Sequence, residues 1–299
     1  DVDGDSQSGS LIQWFKDGAV QNAFENLTTV GSANTAKGQQ WKANVTPSDG
    51  TDFGSEVVSN TVTIGSTAPA VSAIMFNDTS VQTLEDVSAT TTYTDVDSDA
   101  GTVTFKWFLN GSLVFTDAIT SVAAGSSATS VLANTNYSKT DRVNVSVTGN
   151  DGGVDSSTVN SAILTIANTA PAATNVVLGP GSPGTNNDLT LTFSFLDNDS
   201  DSQSGSLIQW SKDGAVQNAL ENLTTVGSAN TAKGQVWKAN VTPSDGSSFG
   251  AVVNSNTVTV GSTAPTVSAV TFNDTSVQTL EDVAATTTYT DVDSDAGTV

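Results

Sequence analysis

Residues 189–214 read LTLTFSFLDNDSDSQSGSLIQWSKDG. Leu189, Leu191, Phe193 and Phe195 alternate with Thr190, Thr192 and Ser194, the period-two pattern of a strand that buries one face. Three alternate aspartates follow in a loop, Asp197, Asp199 and Asp201. Ile208 and Trp210 resume the alternation, and Lys212-Asp213-Gly214 supplies a tight turn. Strand, acidic loop, strand and turn, with no helical spacing of comparable length, predict an antiparallel all-β chain.

The signal recurs. Asp1, Asp3 and Asp5 precede Trp14 and Lys16-Asp17-Gly18, and Asp95, Asp97 and Asp99 precede Trp107 and Leu109-Asn110-Gly111. Asp291, Asp293 and Asp295 carry it a fourth time, with no Trp after them. DSQSGSLIQW runs from Asp5 to Trp14 and again from Asp201 to Trp210, a period of 201 − 5 = 196 residues. The linker prolines Pro69, Pro171 and Pro265 are 102 and 94 residues apart, so the period holds two modules of ordinary domain size. The expected organisation is a partial type A module at 1–66, a type B module at 67–168, a type A module at 169–262 and the first strands of a type B module at 263–299. Residues 201–234 differ from 5–38 only in Ser211 for Phe15 and Leu220 for Phe24. Such near-identical copies invite strand exchange during folding, which alternation with type B counters.

Composition narrows the function. Thirty-one acidic against nine basic residues give a formal net charge of −22, a surface that repels nucleic acid and anionic membranes and attracts cations. There is no Cys, hence neither disulfide nor thiolate metal site, and no His, hence no imidazole base or ligand. Serines and threonines abound without a base to activate them, so no catalytic residue is assigned and the chain is read as a non-enzyme. No apolar run is long enough for a membrane helix.

In type B the alternation falls on Val87, Ala89, Thr91 and Tyr93, then Val103, Phe105 and Trp107, then Val143, Val145 and Val147. In type A, Trp237, Ala239 and Val241 occupy the last of these places. Short alternating strands with turn signals about every ten residues predict a two-sheet sandwich with a Trp on the third strand, the immunoglobulin-like form. Trp14, Trp107, Trp210, Trp41 and Trp237 are all expected in cores.

Type A, through its DxDxD run, Ile-Gln-Trp-x-Lys-Asp-Gly, Val-Thr-Pro-Ser-Asp-Gly and the Thr-Val-Thr-Val strand at 257–260, resembles the tandem immunoglobulin-like repeats of bacterial and archaeal cell-surface proteins. Type B, through Thr83-Leu84-Glu85-Asp86 and Asp95-Val96-Asp97-Ser98-Asp99, resembles cadherin-like repeats of bacterial adhesins. The resemblance implies stalks, rods, adhesins or filament subunits outside a cell, and no chemistry by itself. It departs from antibody domains in lacking the inter-sheet cysteines, near whose places Phe193 and Ala239 stand.

In a sandwich of that topology the loop after the second strand lies beside the loop after the sixth. Asp95, Asp97 and Asp99 are therefore expected near Asp151, and Asp197, Asp199 and Asp201 near Asp245, with Asp1, Asp3, Asp5 and Asp49 as the corresponding set in 1–66. Two readings stand side by side: oxygen ligands for Ca2+ at module junctions, or aspartates that only cap and turn a solvated loop. Sequons at Asn26, Asn44, Asn77, Asn110, Asn136, Asn144, Asn222, Asn240 and Asn273 are candidate N-glycan acceptors, and Asn198, inside the acidic loop, is the poorest. The alternative is plain polar surface.

The sequence is thus read as a segment of an extracellular rod, stalk or filament. The runner-up is a Ca2+-stiffened adhesin whose pole loops bind a partner. The partners expected are neighbouring modules or further copies of the chain. Residues 263–299 carry the first strands that 1–66 lack, which suits head-to-tail strand complementation between chains or, equally, a window of one continuous chain.

Overall fold

The computed structural model describes residues 4, 6–295 and 297. The chain divides into two compact units, Asp1–Val81 with Glu85–Ile166, and Gln82–Leu84 with Ala167–Val299. Among the described residues the only regular elements are antiparallel β-strands and single 3-10 turns, as the alternation predicts.

In the first unit, β1 (Leu11–Lys16), β2 (Ala19–Val20), β3 (Gln40–Thr46), β4 (Val57–Val58) and β5 (Val62–Thr63) form one sheet, order β2-β1-β3-β4 with β5 also on β3. A full sandwich follows, built from β6 (Ala70–Val71), β7 (Met75–Phe76), β8 (Val87–Thr94), β9 (Gly101–Leu109), β10 (Ser112–Val122), β11 (Ser127–Leu132), β12 (Arg142–Asn150), β13 (Val159–Asn160) and β14 (Leu164–Thr165). One sheet runs β11-β8-β6, with β7 on β8; the other runs β10-β9-β12-β13, with β14 on β12. This is an immunoglobulin-like strand order. Val87, Ala89 and Tyr93 of β8 meet Val103, Phe105 and Trp107 of β9 and Val143, Val145 and Val147 of β12 in one core. Trp107 pairs across the sheet with Val145 and Phe105 with Val147.

The second unit repeats the plan with β15 (Ala172–Gly179), β16 (Leu189–Leu196), β17 (Leu207–Lys212), β18 (Ala215–Val216), β19 (Thr225–Val226), β20 (Val236–Thr242), β21 (Val253–Asn254) and β22 (Val258–Thr259). Its sheets run β15-β16-β19 and β18-β17-β20-β21, with β22 on β20. Leu178, Leu189, Leu191 and Val226 from the first sheet close over Trp210, Trp237, Ala239 and Val241 from the second. Two ribbons end the unit, β23 (Thr266–Val267) with β26 (Tyr289–Thr290) and β24 (Thr271–Phe272) with β25 (Ala285–Thr286).

The same residues bury differently according to what faces them. Val241 and Val258 are 0 % and 2 % exposed, while their copies in the first unit, Val45 and Val62, are 37 % and 53 % exposed. Among the described residues no second sheet covers β1–β5, and so Trp14, expected in a core, is only half-buried where its copy Trp210 is fully enclosed.

The turns follow from their chemistry. Asp213 and Gly214, Asn110 and Gly111, and Asp17 and Gly18 all have positive φ at both positions (52° and 80°, 50° and 85°, 51° and 82°), the type I′ geometry that Asn-Gly and Asp-Gly accept most readily. Each turn side chain also accepts the amide that opens the strand across the sheet. Asp213 Oδ1 takes Val236 N at 2.8 Å, Asp17 Oδ1 takes Gln40 N at 2.8 Å, and Asn110 Oδ1 takes Arg142 N at 3.0 Å.

Candidate metal centre

The DxDxD loops are alike in detail. The serine of each, Ser98, Ser200 and Ser294, sits in the left-handed region at φ 64°, 63° and 61°. The first aspartate turns the loop with one carboxylate oxygen. Asp95 Oδ1 accepts Asp99 N at 3.1 Å, and Asp197 Oδ1 accepts Asp199 N at 2.8 Å and Asp201 N at 3.1 Å. Asp291 Oδ1 accepts Asp293 N at 2.7 Å. The other oxygen of Asp95 and of Asp197 is buried and has no hydrogen-bond partner. Loop turning therefore leaves the second carboxylate oxygen of Asp95 and of Asp197 unengaged, so turning the loop does not preclude ligation.

In the first two loops the outer aspartates converge with one from the loop after β12 or β20, and in the third the loop's own three aspartates converge. Asp95, Asp99 and Asp151 form one group, Asp197, Asp201 and Asp245 a second, and Asp291, Asp293 and Asp295 a third, each offering oxygens within 4.8 Å of one another. Three carboxylates so close repel one another unless a cation sits among them, and oxygen-only donor sets suit hard ions such as Ca2+.

The middle aspartates reach the linker backbone. Asp97 Oδ2 accepts the linker amide of Thr67 at 2.6 Å, Asp199 Oδ2 that of Thr169 at 2.7 Å, and Asp293 Oδ2 that of Thr263. Asp97 and Asp199, read from sequence as ligands, lie outside the two three-carboxylate groups and pin the linker backbone through Oδ2. Asp97→Ala removes a charge-assisted bond worth about 1.4 kcal/mol, so the Thr67 amide is expected to exchange with deuterium about tenfold faster.

The linker side chains complete the arrangement. Ser66 Oγ donates to Asp151 Oδ2 at 2.7 Å, Asn168 Nδ2 to Asp245 Oδ2 at 2.8 Å, and Ser262 Oγ to Asp293 and Asp295 at 2.9 and 3.1 Å. Lys37 Nζ lies 2.6 Å from Asp99 Oδ2, and Lys233 makes the same pair with Asp295. Each lysine is held above its ordinary pKa by that carboxylate bond. The sequence reading noted the acidic run at Asp291, Asp293 and Asp295 without giving it a ligand role, and missed these two lysines, although the spacing of 196 that relates Lys37 to Lys233 was already legible.

Asp151 is held down to about 2, first by the Ser66 hydroxyl and then by the amides of Val154 and Gly153. Asp295 is lowered mainly by Lys233, and Asp293 mainly by Thr185. A depressed folded-state carboxylate contributes stability above its ordinary pKa of 3.8 that is lost as pH falls toward 2. In metal-free buffer the linker contacts are expected to hold at pH 5 and to weaken over about pH 4 to 2; Ser66→Ala should raise the Asp151 midpoint in an NMR titration.

Asp49 accepts the amides of Thr51 and Asp52 at 2.7 and 2.8 Å, which lowers its pKa, with Asp52 the larger cause. Asp1, Asp3 and Asp5 lie outside the described residues. Among the sequons, Asn26, Asn77, Asn110, Asn222 and Asn273 each accept a backbone amide through Oδ1, from Ile12, Ser88, Arg142, Ile208 and Ala284. Asn44 donates to Glu56 and Asn136 to the Ala133 carbonyl. Asn144 and Asn240 stand on β12 and β20 between fully buried neighbours, which places them on the outer face.

No family model matches the chain, and no curated protein does. Among solved structures it is similar to the FN1–FN3 domains of chicken CNTN1 (11% identity, 86% of this chain and 90% of that one, TM-score 0.28). It is also similar to fibronectin(III)-like modules of Clostridium thermocellum CbhA (12% identity, 63% and 94%, TM-score 0.24). A third is a Ca2+-stabilized adhesin of an Antarctic bacterium (20% identity, 87% and 67%, TM-score 0.31). No helix among the described residues is long and apolar enough to cross a membrane.

Proposed function

We propose that the chain is a structural segment of an extracellular rod, stalk or filament, and that Ca2+ bound by its acidic groups stiffens the linkers. One observation carries this reading. At three places in the chain a middle aspartate caps a linker amide at a cluster of three carboxylates, which at the third place includes that middle aspartate, Asp293. A device repeated with the module serves the array and not a single reaction centre. Asp95, Asp99 and Asp151 hold one ion, with the linker hydroxyl of Ser66 close by, and Asp197, Asp201 and Asp245 another, beside the linker side-chain amide of Asn168. The charge of −22 favours cation uptake. Asn144 and Asn240, outward on their strands and half-buried, and the exposed Asn136 are candidate N-glycan acceptors, and intact mass before and after glycan release checks them.

Scanning calorimetry tests the metal reading. Calcium at about a hundred times its dissociation constant is expected to add about 2.7 kcal/mol per site and to raise the melting temperature relative to chelator. Identical melts in calcium and in chelator contradict it.

A further inference from the structure

Tyr93 ends the inner face of β8, two residues before Asp95. Its side chain is 0 % exposed, yet its hydroxyl has no hydrogen-bond partner, and neither does the buried Oδ2 of Asp95. The hydroxyl lies in the field of Asp95, Asp151 and Asp99, the three carboxylates of the first acidic group.

A buried hydroxyl without a partner is costly, and phenylalanine would avoid the cost. The chain makes that choice elsewhere: aligning Asp197–Asp201 on Asp95–Asp99 puts Phe195 opposite Tyr93. The tyrosine also needs room. A Cβ on Gly101 would stand 2.4 Å from the Tyr93 hydroxyl oxygen and 2.5 Å from the Asn150 carbonyl oxygen. The pair recurs as Tyr289 with Gly297, where a Cβ would stand 2.6 Å from the hydroxyl, and Tyr289 donates to Asp291 Oδ2 at 3.2 Å. Opposite Phe195 the glycine is replaced by Gln203. Tyrosine and glycine thus keep company, and where the hydroxyl is absent the space for it is not kept.

We infer that Tyr93 belongs to the cation site of the first acidic group, and that this site differs in kind from the one at Asp197, Asp201 and Asp245. This rests on the calcium reading above. Asp95 Oδ2 takes the ion, and the Tyr93 hydroxyl donates to a water that the ion retains. Both orphaned groups are satisfied at once, by a hard divalent cation that keeps part of its hydration shell. Tyr93 is a positioning residue for that shell. The second site, with Phe195, holds its ion without it.

Tb3+, as a luminescent stand-in for Ca2+, tests this on the full chain. The chain has three tyrosines, and the hydroxyl of Tyr137 is engaged by the Glu85 carbonyl. Tb3+ emission is expected to show a tyrosine band in its excitation spectrum, separable from tryptophan, that Tyr93→Phe strongly reduces. The same variant should weaken calcium binding at one site about tenfold and leave the melting temperature in chelator undiminished. Tyr289→Phe, tested alone, should leave the Tyr93 contribution to the band in place. If the wild type binds calcium and Tyr93→Phe keeps both affinity and tyrosine-excited emission, this inference is overturned and the calcium reading stands. If the wild type takes up neither ion, both fall.

Discussion

Trp107→Ala is expected to cost about 3–5 kcal/mol, a large share of the stability of a sandwich of this size. Trp107 is 0 % exposed at the centre of β9, pairs with Val145, and touches Phe76 with ring centroids 6.2 Å apart. Its indole N–H donates to Ser130 Oγ at 3.0 Å, so truncation leaves both a large void and a buried hydroxyl short of its donor. Because the chain divides into two compact units with separate cores, a two-state treatment of the whole is inappropriate. Hydrogen exchange resolved by residue should show loss of protection across β8, β9 and β12, with β16, β17 and β20 unchanged. Equal loss in both sets would contradict independent cores.

Gly101→Ala is the second large effect, about 1–3 kcal/mol. The added Cβ meets the Tyr93 ring and hydroxyl and, at 2.5 Å, the backbone carbonyl of Asn150 on β12. A side chain can swing aside, but a carbonyl fixed in the β9–β12 ladder cannot move without shifting the strand. Tyr93→Phe is therefore expected to rescue the variant only in part, and chemical denaturation of the single and double variants measures the remainder. Full rescue would show that the hydroxyl alone fills the gap.

Much of this was legible in the residues. Alternation at Val87 to Tyr93 and at Val143 to Val147 named the buried faces, because a strand with one wet side leaves that mark. Lys-Asp-Gly and Leu-Asn-Gly named the hairpins, because few residues tolerate two positive φ values in a row. The meeting of Asp95 and Asp99 with Asp151 followed from sandwich topology. The division of labour within DxDxD did not. Spacing treats three alternate aspartates as equivalent, whereas Asp97 is claimed by the amide of Thr67, a group that every residue but proline carries and no motif displays. Tyr93 was read only as a core residue, since periodicity reports the ring and is silent on the hydroxyl. Trp14 and Trp210 share their local sequence and differ in burial, because burial depends on the sheet opposite. Their indoles are nonetheless bonded alike, to the carbonyls of Leu27 and Leu223 at 2.8 Å, while Trp107 uses Ser130.

Isothermal titration of calcium into the chelator-treated chain, at about 0.1 M monovalent salt to screen diffuse attraction, tests the central claim most directly. Saturable heat is expected, with stoichiometry reduced when Asp95 and Asp151 are changed to Asn and reduced again when Asp197 and Asp245 are changed as well. Heat that is absent from the wild type, or that survives all four changes undiminished, would contradict calcium binding at these linkers.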